Sequence, residues 1–152
     1  MTQQSLDQTD KRILEILQKD SSLSNAELAE RVNLSSSSCH RRVRLLEQSG
    51  LIDRYVALLS HEALGLTLTV FIEVALNKKD KETRDSFMER IRLWPEVLEC
   101  HFISGEYDNL LRIVLEDIVA YRKFVLDKLL AIPEVEKTRS SISLGHWKST
   151  TA

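Results

Sequence analysis

Cysteine is almost missing from this chain: Cys39 and Cys100 are its two examples among 152 residues. So few, so far apart, exclude a disulfide-stapled scaffold and a four-ligand zinc site. Two prolines and four glycines exclude a low-complexity or linker-like polypeptide. No apolar run approaches the ~18 residues of a membrane span, and the opening MTQQSLDQTD lacks the charged-then-apolar order of a secretory signal. The expected location is therefore a reducing cytoplasm, away from any membrane. Phosphate loops and dinucleotide fingerprints are lacking as well. His61-Glu62 and His146 have no partners at metal-ligand spacing, so no metal or cofactor is expected. Cys100-His101 has the residue types of a nucleophile and base, but neighbours on a strand point to opposite faces. Cys39 and His40 are about 100° apart on a helix. Tyr107 and Trp147 stand alone and read as packing residues. No catalytic residue is assigned, and the expectation is a protein that is not an enzyme.

What is present is a local concentration of positive charge. The chain as a whole carries a net charge of −2, which points to no charged partner. Between Arg31 and Arg44, however, four arginines and one histidine occur with no acid, and a local patch suffices for an electrostatic footprint. The patch lies in LSSSSCHRRVRLLEQSG, Leu34 to Gly50, which could be a flexible linker, a phosphorylatable tract or a helix facing an anion. Apolar periodicity predicts a first helix over about Asp7–Lys19. SNAELAERV predicts a second, with Ser24 and Glu27 forming a capping box and Leu28, Ala29 and Val32 buried. Asn33-Leu34 leaves room for a tight turn only, and a third helix follows from about Ser36 to Ser49, stopped by Gly50.

At 100° per residue, Cys39, Val43 and Leu46 fall within about 60° of one another as a docking stripe. Ser37, Arg41 and Arg44 lie opposite, with His40 beside them. Serine can cap such a helix and lets its N-terminus approach a phosphate or base edge closely. Arginine supplies paired donors for guanine edges and phosphates. Three helices, a tight turn and a basic outer face make a DNA-binding helix-turn-helix; a run flowing straight into a packed helix suits neither linker nor tag.

Beyond Gly50 the pattern changes. RYVALL predicts a short strand, and LTLTVFIEVAL alternates so that Leu66, Leu68, Val70, Ile72, Val74 and Leu76 share one face. A helix containing Phe87, Met88 and Ile91 follows, then VLECHFIS, the turn GEYD, NLLRIVLE, a helix capped by Asp117, and the strand VEKTRSSISL. The order from Leu66 is βαββαβ, a ferredoxin-like arrangement. The fold class expected is α+β: a winged-helix-like three-helix domain over 1–53, a linker strand and turn over 54–65, and a ferredoxin-like domain over 66–152.

LDQTDKRILEILQKD, SNAELAERVNLSSSSCHRRVRLLEQSGLIDRYVALL, VLECHFISGEYDNLLRIVLED and AYRKFVLDKLL together resemble the leucine-responsive/asparagine-regulator (Lrp/AsnC) family of transcription factors. The resemblance covers nearly the whole chain, through Cys-x-x-Arg-Val-x-x-Leu-Glu and Gly-x-Tyr-Asp. Many members carry proline where this chain has Ser38, a departure that bears on the first turn of the third helix. The resemblance implies homodimers formed through the C-terminal domain and assembled into tetramers or octamers. It also implies a small effector, typically an amino acid, between subunits at Ser104, Gly105, Glu106, Tyr107 and Asp108, with Thr138, Ser140 and Ser141 from the last strand. The residues are compatible with this: Gly105 permits a tight turn, and Asp108 could pair with an α-ammonium. Taken alone, GEYD is equally a good hairpin turn.

The expected partner is double-stranded DNA. Ser36, Ser37, His40 and Arg41 are assigned to base edges, Arg42 and Arg44 to phosphates, and Asn25 and Ser38 complete the surface. Arg42 sits close to the apolar stripe and could instead be structural. The competing reading is an architectural DNA-binding protein with no ligand, whose C-terminal domain serves assembly alone.

Overall fold

The computed structural model describes residues 6–145 and 148; His146 and Trp147 lie outside the described residues. The chain divides into two compact units, which among the described residues are 6–58 with Lys148 and 59–145.

In the first unit, α1 spans Gln8–Lys19, α2 Asn25–Arg31 and α3 Ser36–Gln48. Each begins on a side-chain cap. Asp7 and Asp10 form a reciprocal box at α1, and Ser24 and Glu27 form the expected one at α2. The Ser24 N–H donates to Glu27 Oε2 at 2.7 Å. Such caps satisfy donors that the helix leaves unpaired and contribute about 1 kcal/mol each. Asn33 turns the chain between α2 and α3 in the left-handed region, φ +54°. Gly50, φ +76°, ends α3, where the Leu51 N–H donates to the Leu46 carbonyl. Ile13, Ile16, Leu28, Ala29, Cys39 and Leu46 form the core. Of the predicted stripe on α3, Cys39 and Leu46 are buried and Val43 is half-buried.

RYVALL forms no strand. Residues 54–59 run without a ladder partner among the described residues, leaving Val56, Leu58 and Leu59 exposed. β-propensity reflects fit to a pleated, half-buried surface, and within one chain that surface is lacking here. A short 3₁₀ turn, Glu62–Leu64, follows.

In the second unit, β1 (Leu68–Leu76), α4 (Lys81–Ile91), β2 (Val97–Phe102), β3 (Asn109–Leu115), α5 (Ile118–Lys123) and β4 (Val135–Ile142) appear in the predicted order. α5 continues as a π-helical stretch, Phe124–Leu129. The sheet order is β2-β3-β1-β4, every neighbouring pair antiparallel, the ferredoxin-like arrangement. Alternation on β1 buries Val70, Ile72 and Val74 against Phe87, Phe124 and Leu129 of the helices. Cys100 joins this core rather than a reactive site, packing with its Sγ 3.5 Å from Met88 Sδ. The opposite sheet face carries Phe71, 39% exposed, beside the ion pairs Glu73–Arg139 and Glu99–Arg112. Because β1 and β3 are antiparallel, the β2–β3 turn, the end of β1 and the start of β4 meet at one end of the sheet.

Candidate DNA-binding helix and effector turn

Ser35 caps α3, and its Oγ accepts the N–H of Ser38 at 3.3 Å. A proline at position 38 would have no N–H to give to this cap. Ser36, Ser37, His40, Arg41 and Arg44 are exposed, and Ser38 is half-buried. No acid occupies the first turn. The surface thus combines exposed hydroxyl, imidazole and guanidinium groups on a rigid helix, the Ser37 hydroxyl also lying 3.3 Å from that of Ser35, which suits phosphates and base edges.

Two predicted DNA contacts are engaged within the protein. Arg42 Nη1 donates to Asp7 Oδ2 at 2.7 Å and to Asp10 Oδ1 at 2.8 Å, and its side chain is 26% exposed. The assignment of Arg42 to phosphate therefore gives way to the structural alternative, because two α1 carboxylates already neutralise it. Arg42 and the Asp10 backbone N–H hold the Asp7 carboxyl below its ordinary range, the backbone bond being the larger cause. Asn25 is half-buried, and its amide donates to the Ser36 carbonyl at 2.8 Å, tying the start of α2 to the start of α3.

At the β2–β3 turn, Gly105 has φ +137°. A Cβ there would meet no atom within 4 Å, so backbone conformation rather than space favours glycine. Ser104, Gly105 and Glu106 are exposed, and Tyr107 is half-buried. Asp108 is 8% exposed, and its Oδ2 accepts the Leu76 N–H at 2.8 Å. Its backbone N–H donates to Val74, and Lys79 Nζ lies 3.7 Å from Oδ1. The carboxylate latches the turn to the end of β1 through Oδ2, while Oδ1 faces the Lys79 ammonium, the kind of cationic group the sequence assigns to it.

The predicted β4 residues do not share a face. Thr138 and Ser140 pair with Val74 and Ile72 on the helix-covered side, whereas Ser141 pairs with Phe71 on the other. On that second side two residues missed in the sequence surround Tyr107. Lys137 Nζ is 5.2 Å and the Arg139 guanidinium 4.9 Å from the ring centroid, contacts in which cations meet the ring face. Lys137 also pairs with Glu106 at 2.8 Å, which lowers the Glu106 carboxyl and raises the Lys137 ammonium. Arg139 forks onto both oxygens of Glu73. Strand alternation from Thr138 was the available signal for both cations; the approach of Tyr107 was not readable.

Two family models match the chain: winged helix-turn-helix DNA-binding over residues 6–53 and Lrp/AsnC ligand binding domain over residues 69–152. The leucine-responsive regulatory protein of Escherichia coli K12 is 40% identical over 145 residues, covering 95% of this chain and 88% of its own. A transcriptional regulator of Neisseria meningitidis, solved as its complex with L-methionine, is 45% identical with a TM-score of 0.93 over 97% of this chain and 95% of its own. An AsnC family regulator from Agrobacterium tumefaciens is 37% identical with a TM-score of 0.91 over the same shares.

Proposed function

This chain belongs to the Lrp/AsnC family of transcriptional regulators, and on that premise we propose that α3 reads operator sequence while an amino acid, bound at the β2–β3 turn between C-terminal domains, adjusts that reading. The observation that carries the DNA half is the exposed, acid-free face of α3. Ser36, Ser37, His40 and Arg41 contact base edges, Ser38 lies at the margin, and Arg44 neutralises a phosphate. Asn25 acts through its bond to the Ser36 carbonyl. Residues 1–53 serve DNA and residues 66–152 serve effector and assembly, with 54–65 joining them.

The L-methionine bound to the Neisseria relative supports an amino-acid effector. Backbone groups of Ser104 and Gly105 suit its carboxylate, with Glu106, Tyr107 and the β4 residues Thr138, Ser140 and Ser141 shaping the surroundings. A homodimer, built up to a tetramer or octamer, is supported by the exposed apolar residues of 55–59 and by Phe71 on the sheet face away from the helices, since exposed apolar surface of this kind marks association sites. Paired α3 helices would then enter successive major grooves about one helical turn apart. The protein works by binding, without chemistry, in the cytoplasm; no helix among the described residues is long and apolar enough to cross a membrane.

The test has two parts. Gel shifts across a salt series should show Arg44→Ala lowering affinity for all sequences, with the slope of log K against log salt reduced by about 0.9 per protomer on the site, about 1.8 for a dimer. Arg41→Ala should chiefly relax sequence preference. Equal operator binding by both variants and wild type would refute the helix assignment. A thermal-shift screen of amino acids should reveal a stabilising effector that alters operator affinity, as differential binding to two states requires. Stabilisation by none of them would favour the architectural reading.

A further inference from the structure

The attachment of α3 to the rest of its domain is thin in apolar terms. Cys39 and Leu46 are its two buried residues and Val43 is half-buried. A narrow stripe fixes where a helix lies but resists rotation about its own axis poorly. Polar ties stand on both flanks of the stripe. On one flank Arg42 is held by Asp7 and Asp10 of α1 at 2.7 and 2.8 Å. On the other, the hydroxyl of Tyr55 donates to Glu47 at 3.0 Å. With Ser36 at zero, Arg42 falls at about 240° and Glu47 at about 20°, bracketing the stripe at about 280–340°. Asn25 secures the helix start.

Resting on the DNA-binding reading above, we infer that the Asp7–Arg42–Asp10 clasp is a positioning device that sets the roll of the recognition helix, and so determines operator specificity without touching DNA. The lever is geometric. On a helix of ~6 Å outer radius, a roll of about 10° moves side-chain tips by about 1 Å. That displacement breaks a hydrogen bond to a base edge, since donor–acceptor distances tolerate only a few tenths of an ångström. A phosphate contact is more forgiving, because its electrostatic attraction falls off slowly with distance. The clasp therefore governs sequence discrimination far more than general affinity. Asp7 is doubly placed, being both a member of the clasp and the N-cap of α1.

The sign of the effect separates this from ordinary electrostatics. Removing an acid beside a DNA-binding surface raises affinity for polyanionic DNA, whereas loosening the clasp lowers operator affinity. The experiment uses the full chain and an operator fragment selected by the wild-type protein from random-sequence DNA, with random-sequence DNA as the nonspecific probe. Asp10→Asn and Asp7→Asn, the latter preserving an N-capping side chain, should each weaken operator binding by roughly tenfold, the loss expected for one misaligned base contact. Nonspecific binding should stay unchanged or tighten. Arg42→Gln should show the same operator loss with an unaltered salt slope. Operator affinity at or above wild type in both aspartate variants would overturn the inference, as would a drop in slope of about 0.9 per protomer in Arg42→Gln, the mark of a lost phosphate contact. If Arg42→Gln does not fold, the aspartate variants decide. A wild-type protein that selects no sequence overturns the DNA-binding reading itself, and the clasp's role with it.

Discussion

Replacing Asp108 tests whether the β2–β3 turn is held by its own carboxylate or keeps that group for a ligand. The Asp108 side chain is 11% exposed, and it accepts the Leu76 N–H at 2.8 Å. Asp108→Ala removes a charge-assisted bond and strands a buried donor at the end of β1. Hydrogen bonds to charged groups contribute about 1.5–3 kcal/mol, and an orphaned buried donor costs about 1–3 kcal/mol, largely the same loss counted from the other side. Lys79 adds little, being 71% exposed at 3.7 Å, since such pairs contribute about 0–1 kcal/mol. The expected destabilisation is about 2–4 kcal/mol, or a fall in Tm of about 5–15 °C for a chain of this size. Asp108→Asn keeps an acceptor oxygen and should lose only about 1 kcal/mol. Calorimetric unfolding of both variants, paired with titration of the amino acid that stabilises the wild type, gives the readout. The latch predicts that Asp108→Asn retains effector binding. An Asp108→Ala variant that melts within about 2 °C of wild type and yet binds no effector would refute the latch and identify Asp108 as a ligand group.

Other consequences are open to direct measurement. Ser38→Pro loses the N–H donated to Ser35 while stiffening the first turn, where proline is tolerated, so unfolding free energy should change by less than about 1 kcal/mol; a larger loss in urea titration would contradict that balance. Gly105→Ala must adopt φ +137° and should cost about 1–3 kcal/mol through backbone strain alone; an unchanged Tm would show that the turn relaxes. Acid stability follows from Asp7, Glu27, Glu99 and Glu106, all held below their ordinary values. Since the folded carboxyls bind protons less readily than the unfolded ones, their contribution is full above the ordinary carboxylate range and is lost as pH falls through the lowered values. Circular dichroism should therefore show a constant Tm from neutrality to about pH 5 and a decline below about pH 4; loss of structure on moving from pH 7 to pH 6 would be inconsistent with this.

Local physics made much of this protein legible. A capping box spans three residues, so Ser24 and Glu27 announced the start of α2. Period-two burial along β1 is visible in the alternation of Val70, Ile72 and Val74, up to the register shift at Ala75/Leu76. The helical stripe on α3 likewise separated a docking side from an exposed one. In each case the interaction lies within a few residues, where helix and strand geometry is nearly independent of the rest of the fold.

RYVALL marks the limit of that reasoning, because a strand exists only with a partner, and propensity cannot supply one. Long-range pairings decided the rest. Arg42 looked like one more cation on a basic helix until α1 brought Asp7 and Asp10 against it from 35 and 32 residues away. Asp108 gains a structural duty because the antiparallel register sets the Leu76 N–H, 32 residues earlier, in front of it. Residue types and their spacing determined the elements, the family and the two candidate surfaces. Which charged groups remain free to meet a partner was decided by tertiary structure, because a charge is spent or available according to what the fold places within hydrogen-bond reach.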